Sequence, residues 1–346
     1  MHATMIGLDI AKSVFQAHGE DACGRIVFQK RLKRSQVEAF FAKLPPALIG
    51  IEACGSAHHW GRTLRALGHE VRLIPAAYVK PFIKRNKNDA RDAAAICVAL
   101  TRPDMRFVAI KSVEQQASRG IERTRELLIK QHTQLMNCVR GLLFELGIVT
   151  AQGRRGFAEL TALIEADDAR IPQVLLAALR MLVAQIKGLR KAIASLEEKI
   201  MTAAKENATM RRLCTIPGVG GLTAHAIVAA IGEGQQFRSA RDFAAWCGLT
   251  PIEHSSAAKR REKGISRQGD IRLRKLFALG ASTVMRNARL RAGYATEWQR
   301  GILARRPVKV VVLAQAAKTA RIAWAMLISG ETYKAHKASR SLATAP

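Results

Sequence analysis

Long uninterrupted apolar runs are missing from this chain of 346 residues. Two candidates, near 174–186 and 309–328, are broken by Arg180 and by Lys318 and Arg321, so neither reads as a membrane-crossing helix. The opening MHATMIGLDI has no basic segment followed by a long apolar stretch, which argues against a secretory signal. The six cysteines, Cys23, Cys54, Cys97, Cys138, Cys214 and Cys247, lie far apart with no C-x-x-C spacing. That argues against zinc and fits reduced thiols in a cytosolic protein. There is no G-x-x-x-x-G-K-[ST] loop, no internal repeat and no low-complexity tract. Acidic residues are scarce, 27 against 56 Lys and Arg, for a net charge of +29. Self-repulsion of that size points to a polyanionic partner, with nucleic acid first. An anionic membrane surface is second, but no isolated basic amphipathic helix or lipidation site supports it. The charge is spread along the chain, so the footprint is expected to be large and the protein soluble and cytoplasmic, associated with the nucleoid.

The first 111 residues carry strand patterns. MIGLDIAKSVFQAHG alternates apolar and polar residues, and RIVFQKRL reads as its antiparallel partner. ALIGIEAC is a buried strand, HHWGRTLRALG a helix stopping at Gly68, EVRLIPA a strand, and NDARDAAAICVAL an Ala-rich helix ending before Pro103. The order predicts an α/β domain, a mixed sheet with helices packed on it. Residues 112–208 change to helical period. IERTRELLIKQHTQLMNCVRGLLFELG is one long amphipathic helix. A second carries Leu182, Ile186, Leu189, Ile193, Leu196 and Ile200 at alternating four- and three-residue steps, a coiled-coil-like seam. It serves either an intramolecular hairpin or a dimerisation arm. Residues 209–330 form a third, mostly helical segment, and 331–346 a disordered tail.

Four carboxylates stand out. Asp9 lies in the first strand, Glu52 at the end of a central strand, and Asp89 and Asp92 share one side of a helix start. Each has an ordinary explanation: turn residue, paired carboxylate, or complement to the helix dipole. Together they form a set of hard oxygen ligands suited to magnesium and a phosphate substrate. Lys84, Arg85, Lys87 and Arg91 surround the pair, placed to hold a phosphate backbone.

GLDIAKS, GIEACGSAHHW and KNDARDAAAI, in that order and spacing, resemble the N-terminal domain of the DEDD transposases of the one-ten insertion-sequence family, whose relatives include the pilin-gene invertase. The resemblance implies a RuvC-like, ribonuclease-H-type fold and assigns Asp9, Glu52, Asp89 and Asp92 as ligands of Mg2+ or Mn2+. His58 and His59 are not needed as ligands.

CTIPGVGGLTAHAIVAAIG reads helix, tight turn, helix. Pro217 stops one helix, and Gly218 and Gly220 permit positive φ and close backbone approach. The next helix start can hold a phosphate, as in the helix-hairpin-helix motif. Between Lys259 and Lys275 eight basic residues face two acidic ones, directly after Ser255-Ser256. A serine needs activation to act as a nucleophile, and Lys259, Arg260 and Arg261 are placed to stabilise a pentavalent phosphate. Arg267, Arg272 and Arg274 extend the basic run as further nucleic-acid contacts. By themselves, two serines in a polar loop are ordinary loop residues.

G-L-T-P-x-x-x-S-S, K-R and G-I-S-R-x-G-D-x-R-L-R resemble the C-terminal domain of the same family, which implies that a serine attacks DNA and forms a 5′-phosphoserine link. The family's glycine after that serine aligns it with Ser256. Here Ala257 follows, and Ser255 stays the alternative. The resemblance further implies a recombinase that excises and inserts element DNA under the direction of a structured bridge RNA. The acids and the serine lie in separate domains joined by long helices, and they are expected to meet across a dimer or tetramer. A hydrolytic junction nuclease using the acids alone, and an inactive nucleic-acid scaffold, are the alternatives.

Overall fold

The computed structural model describes residues 2–82, 89–253, 262–291 and 293–334, without the side chains of Asp89, Glu253, Glu262 and Lys263. The chain divides into two compact units, Met1–Gln116 and Ala117–Pro346.

The first unit contains β1 (Met5–Ile10), β2 (Val14–Glu20), β3 (Ile26–Lys33), α1 (Val37–Phe41), β4 (Leu48–Glu52), α2 (Ala57–Ala66), β5 (Glu70–Ile74), α3 (Ala76–Val79) and α4 (Asp89–Leu100). Its mixed sheet has the order β3-β2-β1-β4-β5. β1 and β3 pair antiparallel with β2, while β4 is parallel to β1 and β5 to β4. The run expected as one strand and its partner is a three-stranded meander. MIGLDI and VFQAHGE are separate strands, paired from Met5↔Glu20 to Ile10↔Phe15. Alternation continues through Lys12-Ser13, so periodicity alone hides the turn.

The sheet is covered on both faces. Leu8, Ile51, Phe15, Trp60 and Leu64 share one core, which seats α2. On the other face, Gly7 and Gly50 stand opposite each other on β1 and β4. A Cβ at Gly7 would lie 2.0 Å from the Ala93 carbonyl oxygen, and one at Gly50 would lie 2.7 Å from Ile96 Cγ2. The two glycines therefore let α4 rest directly on the strands.

The second unit is almost entirely helical. It holds most of α5 (Val113–Phe144), then α6 (Arg154–Glu165), α7 (Gln173–Glu206), α8 (Ala208–Cys214), α9 (Gly221–Ile231), α10 (Ala240–Trp246), the paired strands β6 (Pro251–Glu253) and β7 (Glu262–Ile265), α11 (Ile271–Leu290), α12 (Glu297–Leu303) and α13 (Val308–Ser329). One core joins α5, α6 and α7 through Val139, Leu143, Phe157, Leu160, Leu179 and Val183. Of the seam residues on α7, Ile186 and Ile200 are buried within the chain, and Leu182, Leu189, Ile193 and Leu196 are half-buried. A second core surrounds α9, with Phe243 from α10, Phe277 from α11 and Ala316, Ala320 and Ala323 from α13. α13 is long and apolar enough to cross a membrane, yet those alanines lie in this core.

Candidate active site

The acids of the first unit follow from strand register. The last parallel pair between β1 and β4 is Leu8↔Ile51. One residue further, Asp9 on β1 stands beside Glu52, the last residue of β4. Side chains alternate along a strand, so Asp9 shares the face of Gly7, and Glu52 that of Gly50. That is the face α4 covers. Met5 and Leu48, at the strand starts, pack with Ala99 and Leu100 at the end of α4, whereas Gly7 lies against Ala93. The helix thus runs antiparallel to β1, and its first turn, from Asp89 to Asp92, reaches the strand ends that carry Asp9 and Glu52.

Two observations describe the electrostatics there. The Oδ1 atom of Asp92 is buried and has no hydrogen-bond partner among the described residues. A desolvated carboxylate oxygen without a donor is costly, and native structures rarely leave one so without reason. The Cys54 thiol, two residues beyond Glu52, is pushed up first by burial and then by the charges of Glu52 and Asp9. Both carboxylates therefore act on one spot. Hard oxygen donors, one of them desolvated and lacking a partner, fit a magnesium-type ion. His58 Nδ1 accepts from the Lys111 backbone N–H at 3.2 Å, and its Nε2 lies 3.3 Å from the Lys111 Nζ. That use agrees with leaving it out of a ligand set. Arg91 is exposed on α4. Lys84, Arg85, Lys87 and the Asp89 side chain lie outside the described residues.

Sequence reasoning missed a second cluster on this sheet. The ligand atoms of His18, Glu20 and Cys97 lie within 4.8 Å of one another. His18 Nε2 meets Glu20 Oε1 at 2.9 Å, and the Cys97 thiol donates to the His18 carbonyl at 3.3 Å. Burial, then the Glu20 charge, pushes that thiol up to about 12. A thiol held neutral and already hydrogen-bonded is a packing element that ties α4 to β2.

In the second unit, Ser255, Ser256, Lys259, Arg260 and Arg261 lie outside the described residues. Their flanks are defined: β6 and β7 pair antiparallel, with Pro251↔Ile265 and Glu253↔Glu262. The motif after β7 builds the support of this hairpin. Gly269 has φ +75°, and a Cβ there would lie 1.7 Å from the Trp246 carbonyl oxygen. Asp270 caps α11 by accepting from the Leu273 N–H at 2.9 Å, and its other oxygen pairs with Arg119 on α5 at 3.0 Å. Arg274 donates to the carbonyls of Gln268 (2.8 Å) and Cys247 (3.2 Å). Arg272 donates to Glu122 (2.8 Å) and Glu126 (2.6 Å) on α5, and Glu122 also holds His225 Nδ1 at 2.7 Å. These bonds push the Arg272 guanidinium further up and hold Glu126 below its ordinary range.

Sequence reasoning assigned Arg272 and Arg274 to nucleic acid, but here both are engaged inside the protein. The signal was ambiguous because a basic run reads alike whether it faces phosphate or buried carboxylates 150 residues away. Arg267 is exposed and has φ +56°. Gly218 shows the expected positive φ and close approach, but its partner is α11: a Cβ there would lie 2.9 Å from the Gly280 carbonyl oxygen. Gly220 is extended, exposed and open, at the N-cap of α9.

Two known families match this chain. The family described as Transposase (DEDD, IS110 type) matches residues 6–147, and the Transposase IS116/IS110/IS902 family matches residues 210–295. A Pseudomonas aeruginosa protein named "Probable family 20 transposase" is 44% identical over 338 residues, 96% of this chain and 99% of its own length. The transposase for insertion sequence element IS1111A of Coxiella burnetii is 38% identical over 95% of this chain and 91% of its own length. The transposase for insertion sequence element IS1328 of Yersinia enterocolitica is 35% identical over 96% and 99%. With both ends matched and relatives of this identity spanning nearly the whole chain, the protein belongs to the IS110/IS116 family of insertion-sequence transposases, whose activity is DNA cleavage and strand transfer.

Proposed function

We propose that this transposase cuts and rejoins element DNA through a covalent serine intermediate, assisted by a divalent metal at Asp9, Glu52, Asp89 and Asp92. The observation that carries the reading is the buried Asp92 Oδ1, without a partner among the described residues, on the helix that lies over the face of Asp9 and Glu52. A set of this kind within the order β3-β2-β1-β4-β5 supports a RuvC-like assignment. Magnesium, or manganese, when bound, supplies Lewis-acid polarisation of a phosphoryl oxygen. The four carboxylates hold it and, by their charge, exclude a phosphate from the site until the metal is present.

Ser256, or Ser255 in its place, is the nucleophile. Its Oγ bonds to phosphorus as the P–O3′ bond breaks. The hydroxyl proton leaves the serine, and the departing 3′ oxygen takes one up. The 5′-phosphoserine conserves the bond energy. A 3′-hydroxyl of the strand to be joined then attacks phosphorus, reforms the diester and restores the serine. Lys259, Arg260 and Arg261 offset charge developing on the phosphate. Arg267 and Gly220 remain candidate backbone contacts, and the α8–α9 turn a candidate helix-hairpin-helix. Target choice by a structured guide RNA, a dimer or tetramer seated on the half-buried α7 seam, and a cytoplasmic, nucleoid-associated site of action complete the reading.

The test is Ser256→Ala, alone and with Ser255→Ala, on element-end DNA with magnesium. Strand cleavage and the protein–DNA adduct should both vanish in the double variant. Cleavage at the parent's rate would favour the hydrolytic nuclease, with water in the serine's place.

A further inference from the structure

A basic groove opens in the first unit. Its cavity volume is about 680 Å³, and its walls include Lys12, Lys33, Arg34, Glu38, His59 and Trp60. Lys12 follows β1 and Lys33 ends β3. Because β1, β3 and β4 run in one direction, the groove opens at the sheet end that carries Asp9 and Glu52, on the α2 side rather than the α4 side.

Three features make it a built site. The Arg34 guanidinium lies 5.3 Å from the Trp60 ring centroid and 5.8 Å from that of Phe15, so its orientation is set before any ligand arrives. The Arg34 backbone N–H donates to the Ser13 carbonyl at 2.9 Å, which ties the two turns forming the rim. Trp60 is 3% exposed, so its ring is a fixed platform for the guanidinium. None of Lys12, Lys33 and Arg34 is in an ion pair among the described residues. Three cations against one carboxylate ask for an anion with several acceptor oxygens.

We propose that this groove binds the phosphodiester backbone of a nucleic-acid strand, with Lys12, Lys33 and Arg34 on phosphate oxygens. A strand held there is anchored at the sheet end that bears the acids, on the opposite side of the sheet. The proposal shares with the transposase reading only its ligand class; it needs neither metal nor serine.

The experiment is done on the full chain in EDTA, so the acid site is not metal-loaded. Fluorescein-labelled single-stranded DNA and RNA of one sequence are titrated at several salt concentrations. Lys12→Ala/Lys33→Ala, both exposed positions, should lower the slope of log K against log salt by about 1.4, the value for two single-strand phosphate contacts. Arg34→Lys keeps the charge and loses the planar guanidinium held over the Trp60 ring. It should weaken binding and leave the slope unchanged, since no charge is lost. Far-ultraviolet circular dichroism and Tm check both variants for folding. Parental affinity and slope in the lysine variant would overturn the proposal. A loss confined to RNA would also overturn it, in favour of 2′-hydroxyl reading. Equal losses for DNA and RNA support backbone recognition.

Discussion

Asp92 concentrates the competition between stability and chemistry in one side chain. Its Oδ1 is buried with no partner among the described residues. Replacing the carboxylate with an amide of the same shape removes an uncompensated charge and the metal ligand together. Asp92→Asn should therefore fold at least as stably as the parent, with Tm unchanged or raised, while magnesium-dependent cleavage falls by at least about 100-fold, the upper end of what losing a mere outer-shell partner costs. Parental cleavage would return Asp92 to complementing the helix dipole. Glu126 tests a different carboxylate by pH. The hydrogen bond from Arg272 holds it below its ordinary value of 4.5. The unfolded chain then takes up this proton more readily than the folded one, so the pair adds stability above pH 4.5 and loses it as pH falls through the depressed value. The Tm gap between parent and Glu126→Gln should be open at pH 7 and close progressively below 4.5. A gap constant over that range would remove the ion pair from the account.

At the scale of elements, α4 and the two glycines beneath it work as one device. The Ala-rich run gives α4 a slim inner face, and Gly7 and Gly50 give it a strand surface without side chains. Gly7→Ala would set a methyl 2.0 Å from the Ala93 carbonyl oxygen, and backbone cannot yield without moving the helix. Overpacking of this kind costs about 1–3 kcal/mol. Because Asp92 rides on the displaced helix, cleavage should fall with Tm, whereas Asp92→Asn separates the two; thermal melts and cleavage assays on both variants make the comparison. The helix and the strand positions of Asp9 and Glu52 were legible in the sequence, from period and motif. The seat that Gly7 and Gly50 make for α4 was not, since it shows only once β1 and β4 are paired. The meander was not, because Lys12-Ser13 continues the alternation of its neighbours. Nor was the pairing of Arg272 with Glu122, since partners 150 residues apart leave no mark in any local period.

For the whole molecule, the net charge of +29 divides unevenly. Residues 1–116 hold 18 Lys and Arg against 10 Asp and Glu, and the remainder 38 against 17, so the units carry +8 and +21. Formal charge overstates what a polyanion meets, because several cations of the second unit already face carboxylates: Arg119 with Asp270, Arg125 with Glu197, and Arg272 with Glu122 and Glu126. Arg305, Arg306 and Lys309, between α12 and the first turn of α13, are exposed. The two kinds of cation should separate in a pair of measurements on the full chain with duplex DNA. Arg305→Gln/Arg306→Gln/Lys309→Gln should lower the salt slope by about 0.9 for each cation that meets a phosphate, and leave Tm near the parent's. Arg272→Gln should do the reverse. It leaves Glu122, whose side chain is 6% exposed, with His225 as its remaining partner among the described residues, and the loss of a buried ion-pair partner costs up to about 3 kcal/mol, while the salt slope stays as it was. A lower slope in Arg272→Gln with an unchanged Tm would mean that DNA reaches this arginine, and the motif would regain the nucleic-acid role its composition first suggested.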